Sequence, residues 1–409
     1  MTIIEQRPHC ISAIRWLGAS GALALGTMFV LAAFGTQPAQ AQTYTVLHRF
    51  TGSPDGASPA AGLIGDGAEG LAGTTQGGGA YGYGTVFKLN STGESVLYSF
   101  TGGLDGANPV ASLIRDSAGN LFGTTVNGGD FYGTVFKLDT GGTETVLHSF
   151  RDRGGDGGFP VAGLAADSAG NLYGTATEGG LSNVGVAFKL NSAGETMLHT
   201  FAGVPDGSAP AAGLIRDSAG NLYGTTPGGG TMGWGTVFKI DTAGTETVLY
   251  SFTGGADGGM PYAGLIQDSS GNLYGTTTWA GSAAGSAGFG VVFKLDTAGT
   301  ETVLYTFTGG ADGGYPAAGL VQDSEGNLYG TTQAGGTGSG FSGDGVVFKL
   351  SSTGTETVLH TFTGGTDGLQ PLAGLLRDSS GNLYGTAVAG GITNSGCGFG
   401  CGVVFKIAP

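Results

Sequence analysis

Charge is scarce in this chain. Only 11% of its 409 residues are Asp, Glu, Lys or Arg, and 15 basic groups face 30 acidic ones, a net charge of −15. Duplex nucleic acid is excluded as a partner, because affinity there comes from basic groups that neutralise phosphates. An anionic membrane surface is disfavoured for the same reason. Cysteine is scarcer still, at three, and histidine stands at five. No Cys/His spacing of a zinc finger occurs. Proline numbers 13, and the glycines keep no three-residue period, which excludes collagen. Long helical segments are missing too, since an interior glycine costs about 1 kcal/mol relative to alanine. What abounds is glycine, 87 of the 409 residues. Average proteins hold roughly 7%. Yet 22 Phe and 14 Tyr are too many for a plainly disordered chain. The remaining class is a β-rich chain with many tight turns.

The first 41 residues differ from the rest. Arg7 and Arg15 precede an uncharged apolar stretch from Trp16 to Phe34, followed by Ala39-Gln40-Ala41. That order predicts a secretory signal peptide over 1–41, cleaved at a small-x-small site. Residues 42–409 are then a single exported domain of net charge −16, and no membrane span is expected to remain. Cleavage also removes Cys10 and leaves Cys397 and Cys401. So close a pair in an exported protein predicts a disulfide.

Internal repeats set the architecture. Val-Phe-Lys-Leu recurs with its Phe at Phe87, Phe136, Phe188, Phe238, Phe293, Phe348 and Phe405. Asp-Ser-Ala-Gly-Asn-Leu-Tyr-Gly-Thr is cleanest at Asp217–Thr225. Thr-Val-Leu-Tyr-Ser-Phe ends at Phe50, Phe100, Phe150, Phe201, Phe252, Phe307 and Phe362. Each unit of about 50 residues reads as four short strands. In the fourth unit these are A (Ala211–Asp217), B (Asn221–Thr226), C (Gly235–Asp241) and D (Thr247–Phe252). Seven such units predict an all-β, seven-bladed propeller of four-stranded antiparallel blades. Residues 43–50 form a D strand with nothing before it, and the chain stops after a C strand at 403–407. The N-terminal strand is therefore expected to complete the last blade and remove two free edges. A closed ring of this kind is expected to be a monomer. The repeated lysines (Lys88, Lys137, Lys189, Lys239, Lys294, Lys349 and Lys406) are expected to pack their stems and pair with turn carboxylates.

Strand direction sorts the loops. The A–B and C–D turns share one face and are nearly identical. The B–C and D–A loops share the other and vary. Function concentrates on loops held by a rigid scaffold, so that second face is the candidate surface. Its aromatics Tyr83, Tyr132, Trp234, Trp279, Phe289, Phe341 and Phe399 are the candidate ligand contacts, and they suit sugar stacking and protein contact equally. Seven Asp-Gly-x-x-Pro loops carry Asp55, Asp105, Asp156, Asp206, Asp257, Asp312 and Asp367. These read first as Asx-type turns in which Asp bonds its own backbone. A ring of calcium-holding carboxylates is the weaker alternative, and no other cofactor is expected. His48, His148, His199 and His360 occupy the D-strand position where other units carry Tyr98, Tyr250 and Tyr305. That exchange points to packing, and histidines in different blades should not meet as a triad or a metal cluster. There is no Gly-x-Ser-x-Gly elbow, and Gly77-Gly78-Gly79 lacks the Lys-Ser/Thr of a phosphate loop.

The units resemble GloVer-type tandem-repeat proteins, exported bacterial chains with varied C-terminal anchors. The residues that carry the likeness are Gly213–Thr226, Gly235–Ile240 and Thr247–Phe252, and all the units share it over 43–407. The Asp-x-x-Gly-Asn-Leu-Tyr core is also similar to NHL propeller repeats. The resemblance implies export and placement outside the cell or at its surface, with the periplasm as the other compartment. It implies no catalytic residues. The chain ends Phe405-Lys-Ile-Ala-Pro409, without a hydrophobic or basic sorting tail. The expectation is a non-enzymatic extracellular binding or scaffold module for a protein or carbohydrate. The competing expectation is a lyase or hydrolase of extracellular polymer using carboxylates on the same face.

Overall fold

A computed structural model describes residues 42–67, 70–151, 156–282, 288–337 and 343–409. The predicted signal segment 1–41 with Cys10, and also Phe341, lie outside the described residues.

The chain forms seven four-stranded antiparallel sheets, each an unbroken meander except the last. No helix occurs among the described residues. In the last sheet Leu376–Arg377, Leu383–Ala387 and Val403–Ala408 come from the C-terminus, and Thr43–Arg49 adds the outer strand. The seam pairs Thr43 with Ala408 and Arg49 with Val403, antiparallel, with one register shift between Val46 and His48. This is the closed seven-bladed propeller that the repeat predicts.

Strand A is shorter than its sequence suggests. In the fourth unit only Ile215–Arg216 pair as strand, against the expected Ala211–Asp217. The residues before it, Ala211–Gly213, line a pocket shared with the matching residues of the other six units and bond sideways to the neighbouring blade instead. Thr225 of strand B donates its hydroxyl to Ala263 O of the next blade at 2.9 Å. The same bond joins every neighbouring pair of blades, and Thr386 to Ala61 closes the circle at 3.0 Å. These threonines are buried, so each bond satisfies two groups that water cannot reach.

The repeated phenylalanines fill the gaps between blades. The D-strand ring of one unit meets the C-strand ring of the next edge to face, as Phe201 meets Phe238 at 5.0 Å and Phe50 meets Phe87 at 5.1 Å. Edge-to-face pairs at this spacing favour the ring quadrupoles. Strand-B glycine makes room for them: a Cβ on Gly224 would lie 2.6 Å from Phe238 Cζ. A bulge in each C–D pair, such as that between Val237 and Phe238, lets strand D bury residues of both parities.

The lysines depart from expectation in six blades. Lys137, Lys189, Lys239, Lys294, Lys349 and Lys406 lie over the strand-B ring, 5.6 to 6.0 Å from its centroid. The turn aspartate is occupied elsewhere: Asp217 accepts from Asn221 Nδ2 at 2.7 Å and from Tyr223 OH at 3.0 Å. In the first blade Ala72 replaces the aromatic, and among the described residues only there does the repeated lysine reach an aspartate, Lys88 to Asp66 at 2.7 Å. A cation–π contact and an ion pair thus substitute for each other at one position.

Candidate functional site

The B–C and D–A loops do share one face, and they carry two different sets of aromatic and apolar residues. The first set stands directly before the glycine that opens strand C: Tyr83, Tyr132, Val184, Trp234, Phe289, Asp344 and Cys401. The backbone of each is a blade-to-blade latch. Its carbonyl accepts from the residue before the D–A proline of the next unit, as Met260 N donates to Trp234 O at 2.8 Å and Ser58 N to Cys401 O at 2.8 Å. The side chains of several lie against a glycine of that same loop. A Cβ on Gly254 would sit 2.3 Å from the Trp234 ring, and one on Gly309 would sit 2.4 Å from Phe289. Trp279 packs edge to face on Tyr315 at 5.2 Å, and Tyr132 on Phe159 at 5.6 Å. Most of the aromatics expected to touch a ligand are therefore already engaged between blades.

This latch has a measurable cost. Gly254 has φ +73°, where a side chain is strained, and no space for a Cβ beneath Trp234. Trp234→Ala and Gly254→Ala are each expected to destabilise the fold by about 2 kcal/mol. In the double variant the costs should fall short of additive, because the indole that crowds Gly254 is gone. Denaturant midpoints of the four proteins measure the coupling, and simple additivity would remove the latch.

The second set projects into solvent at the tips of the B–C loops. Tyr81 is 61% exposed, Phe131 83%, Leu181 95%, Met232 66% and Phe399 84%. Leu104 and Val204 on D–A loops are 76% and 67% exposed. Of the sequence-predicted contacts, Phe399 belongs here and Tyr83 is intermediate, its ring half exposed yet laid over Gly102. Sequence reasoning left Tyr81 and Phe131 out of its candidate contacts. It could not rank them above their latch neighbours, because both sets are apolar and flanked by glycine.

Cys397 and Cys401 are joined by a disulfide. It stands in the latch position of the last blade, where its sulfurs approach Gly52 as Trp234 approaches Gly254. Asn394 Nδ2 donates to Thr51 O across the seam at 2.7 Å.

The seven loop aspartates are not Asx-type turns closed on their own following backbone. Each reaches back to the end of its own D strand. Asp55 accepts from Thr51 N at 3.0 Å and Thr51 Oγ1 at 2.7 Å, and bonds His48 Nε2 at 3.1 Å. Tyr98 OH reaches Asp105 at 3.0 Å in the same way, as do Tyr250 to Asp257 and Tyr305 to Asp312. The other histidines follow: His148 pairs with Asp156 at 2.9 Å, His199 with Asp206 at 3.0 Å and His360 with Asp367 at 3.3 Å. This explains the exchange of His and Tyr, since either ring places a polar edge on the aspartate and packs on the following Phe. Burial works against the Asp55 carboxylate, but hydrogen bonds from His48 and Thr51 hold its pKa below the usual value.

A third group was not foreseen. Every D strand except the N-terminal one carries a glutamate four residues before the Tyr or His. It faces the preceding blade's aspartate. Burial, then the charge of Asp105, pushes Glu144 up to about 7. Burial and Asp257 do the same to Glu301, and burial and Asp312 to Glu356, each to about 7. The sequence held this signal in Glu94, Glu144, Glu195, Glu246, Glu301 and Glu356. So the histidines do not meet one another, but two of them close on an aspartate and a glutamate together. The ligand atoms of His48, Asp55 and Glu94 all lie within 4.8 Å of one another, as do those of His199, Asp206 and Glu246.

The tight-turn face is not featureless. A polar cavity of about 700 Å³ opens between the fifth and sixth blades, lined by Asp268, Tyr274, Lys294, Asp323 and Glu325 among others. Smaller ones recur between other blades, for example around Asp66, Lys88 and Arg115. Their walls include the aspartate, aromatic and lysine groups that hold each blade, so they are the grooves between repeated turns.

Among solved structures, the extracellular domain of a candidate one-component system from B. thetaiotaomicron is 11% identical, with a TM-score of 0.53 over 89% of this chain and 40% of that one. A candidate 6-phosphogluconolactonase from Bacteroides uniformis is 15% identical, with a TM-score of 0.50 over 78% and 96% of the two chains. A Xanthomonas campestris gluconolactonase is 15% identical over 71% and 82%, with a TM-score of 0.42. Likeness at these identities shows the fold alone. No curated protein matches the sequence. The model of the Gloeobacter/Verrucomicrobia repeat matches residues 18–188 and 163–399, almost the whole chain, in keeping with the repeat and blade pattern built above. The chain belongs to the Gloeobacter/Verrucomicrobia repeat family.

Proposed function

We propose that this propeller is an exported binding module that presents the tips of its B–C and D–A loops to a protein partner. The observation that carries the reading is the set of apolar tips held out on the B–C loops, Tyr81, Phe131, Leu181, Met232 and Phe399. Folding leaves such side chains in water only at a cost that a partner can recover. Their chemistry favours protein over sugar. Stacking on a pyranose needs a flat ring, whereas Leu181, Met232, Leu104 and Val204 offer adaptable aliphatic surface. The scaffold behind them is rigid, because the latches and threonine bonds tie each loop base to its neighbour. Placement outside the cell rests on the Ala39-Gln40-Ala41 cleavage pattern and on the Cys397–Cys401 disulfide, which suits an oxidising compartment.

The test compares two variants of residues 42–409 on an array of purified extracellular proteins and glycans. One replaces Tyr81, Phe131, Met232 and Phe399 by Ser. It should lose partner binding by at least about tenfold, roughly 1.4 kcal/mol, with an unchanged melting temperature. The other is Trp234→Ala, which should melt earlier while its folded fraction still binds. Glycan binding that survives loss of the tips would overturn the protein reading. Polymer turnover abolished by replacing single loop aspartates would establish the lyase or hydrolase reading instead.

A further inference from the structure

We propose that His48–Asp55–Glu94 and His199–Asp206–Glu246 are divalent transition-metal sites that stitch neighbouring blades at the rim of the ring. His48 and Asp55 lie on the last blade's outer strand and the loop after it, and Glu94 lies on the first blade's outer strand. His199 and Asp206 relate to Glu246 in the same way one blade further on from the third. Each site therefore offers one imidazole nitrogen and two carboxylates from two blades.

The donor set selects the metal class. Calcium takes six to eight oxygens and has no use for imidazole. Zinc and nickel accept nitrogen and carboxylate together, and a three-residue set leaves a fourth position for water. The spacing is close to what such an ion needs. Zinc bonds of about 2.0–2.2 Å put donor atoms roughly 3.4 Å apart in a tetrahedron. Nε2 and Oδ2 already stand 3.1 Å apart in the first site and 3.0 Å in the second. All three donors lie within 4.8 Å in both, so a small side-chain adjustment closes the set. The ion takes the place of the proton on Nε2 that now bridges to the aspartate, and the metal-bound imidazole stays neutral by carrying its one proton on Nδ1.

A second observation points to a missing cation. The Oε1 atoms of all six D-strand glutamates, Glu94 and Glu246 among them, are shut away from solvent without any hydrogen-bond partner, as is Asp206 Oδ1, but among the described residues an imidazole and an aspartate close to within 4.8 Å only at Glu94 and Glu246. Buried carboxylate oxygens with no donor are costly, and a metal supplies both charge and bonds. The repeat contains its own controls. Tyr98, Tyr250 and Tyr305 take the histidine's place beside Asp105, Asp257 and Asp312, and offer no imidazole. At His360 the glutamate position is Tyr44, whose ring stacks on the imidazole at 3.7 Å. His148, Asp156 and Glu195 do not close to the spacing of the other two sites.

The experiment uses residues 42–409 stripped with chelator, then dialysed against micromolar zinc, nickel or calcium and analysed for bound metal. Two equivalents of zinc or nickel are expected, and none of calcium. His48→Tyr and His199→Tyr should each lose one equivalent, and the double variant both. Tyrosine is native at this position in three other blades, which protects the fold. His48→Gln with His199→Gln repeats the test with a smaller side chain, and His360→Tyr should keep both equivalents. Failure of the intact protein to bind stoichiometric zinc or nickel overturns the proposal. So does binding that persists in a folded double variant.

Discussion

A chain that begins at Thr51 should not fold cooperatively. The nine residues from Gln42 to Phe50 supply the outer strand of the last blade, including all of its pairing from Thr43–Ala408 to Arg49–Val403. They also bury Phe50 completely against Phe87, and stack Tyr44 on Phe405 at 5.5 Å. Burying a large apolar side chain stabilises by about 1.5–3 kcal/mol, so Phe50, Tyr44 and Val46 together contribute roughly 6 kcal/mol. The loss compares with a total stability of about 5–15 kcal/mol for a typical domain. Deletion would further expose the edge of Val403–Ala408 and strip the histidine partner, His48, from Asp55. The expected product is soluble only transiently, with no cooperative melting transition. A sharp calorimetric transition within about 5 °C of that of residues 42–409 would show that the seam is dispensable.

The seam was legible because absence is a strong signal in a repeat. A D strand with no A, B or C before it, and a C strand with no D after it, could only complete each other in a closed ring. The Phe-Phe contacts were legible for a similar reason, since a large apolar residue at a fixed place in every unit has to be the filler between units. The site was read less well. Tyr83, Trp234 and Phe289 look like binding aromatics, being apolar, glycine-flanked and on variable loops. Only the position of Gly102, Gly254 and Gly309 beneath them, in the loop that leads to the next blade, shows that they are packing. Tyr81 and Phe131 differ from them by one or two positions, and that small offset decides between blade and solvent. The glutamates at D-strand starts were overlooked because a Glu on an outer strand reads as a solvated charge. Strand twist brings Glu144 onto Asp105 of the preceding blade, which no pairing rule within one unit could reveal.

Those glutamates give the fold an acid optimum. Take the three clusters with tyrosine: Tyr98, Asp105 and Glu144; Tyr250, Asp257 and Glu301; Tyr305, Asp312 and Glu356. In each, burial and then the aspartate charge raise the glutamate to about 7 from 4.5. The folded state therefore holds protons that the unfolded chain has released between those values. By linkage, the stability they contribute is fully present below pH 4.5 and is lost as pH rises through about 7. Each side chain is only half shielded, so the full shift overstates the effect. Discounted for solvent screening, the loss is about 1 kcal/mol per glutamate and roughly 3 kcal/mol in all. The turn aspartates set the lower limit with the opposite sign. Against the effect of burial, hydrogen bonds from Asn171 and Tyr173 hold Asp167 down to about 2. Asp217, Asp268, Asp323 and Asp378 are lowered by the equivalent contacts. Their contribution is present above their unfolded value of 3.8 and fades as pH falls toward 2. Between these limits the melting temperature should peak near pH 4–5, and fall by several degrees toward pH 7.5. Replacing Glu144, Glu301 and Glu356 together by Gln removes the titrating groups while keeping their shape. That variant should be the more stable protein at pH 7.5 and should lose most of the decline. A wild-type melting temperature that rises steadily from pH 5 to pH 7.5 would show that these carboxyls are already ionised in the fold and would overturn the acid optimum.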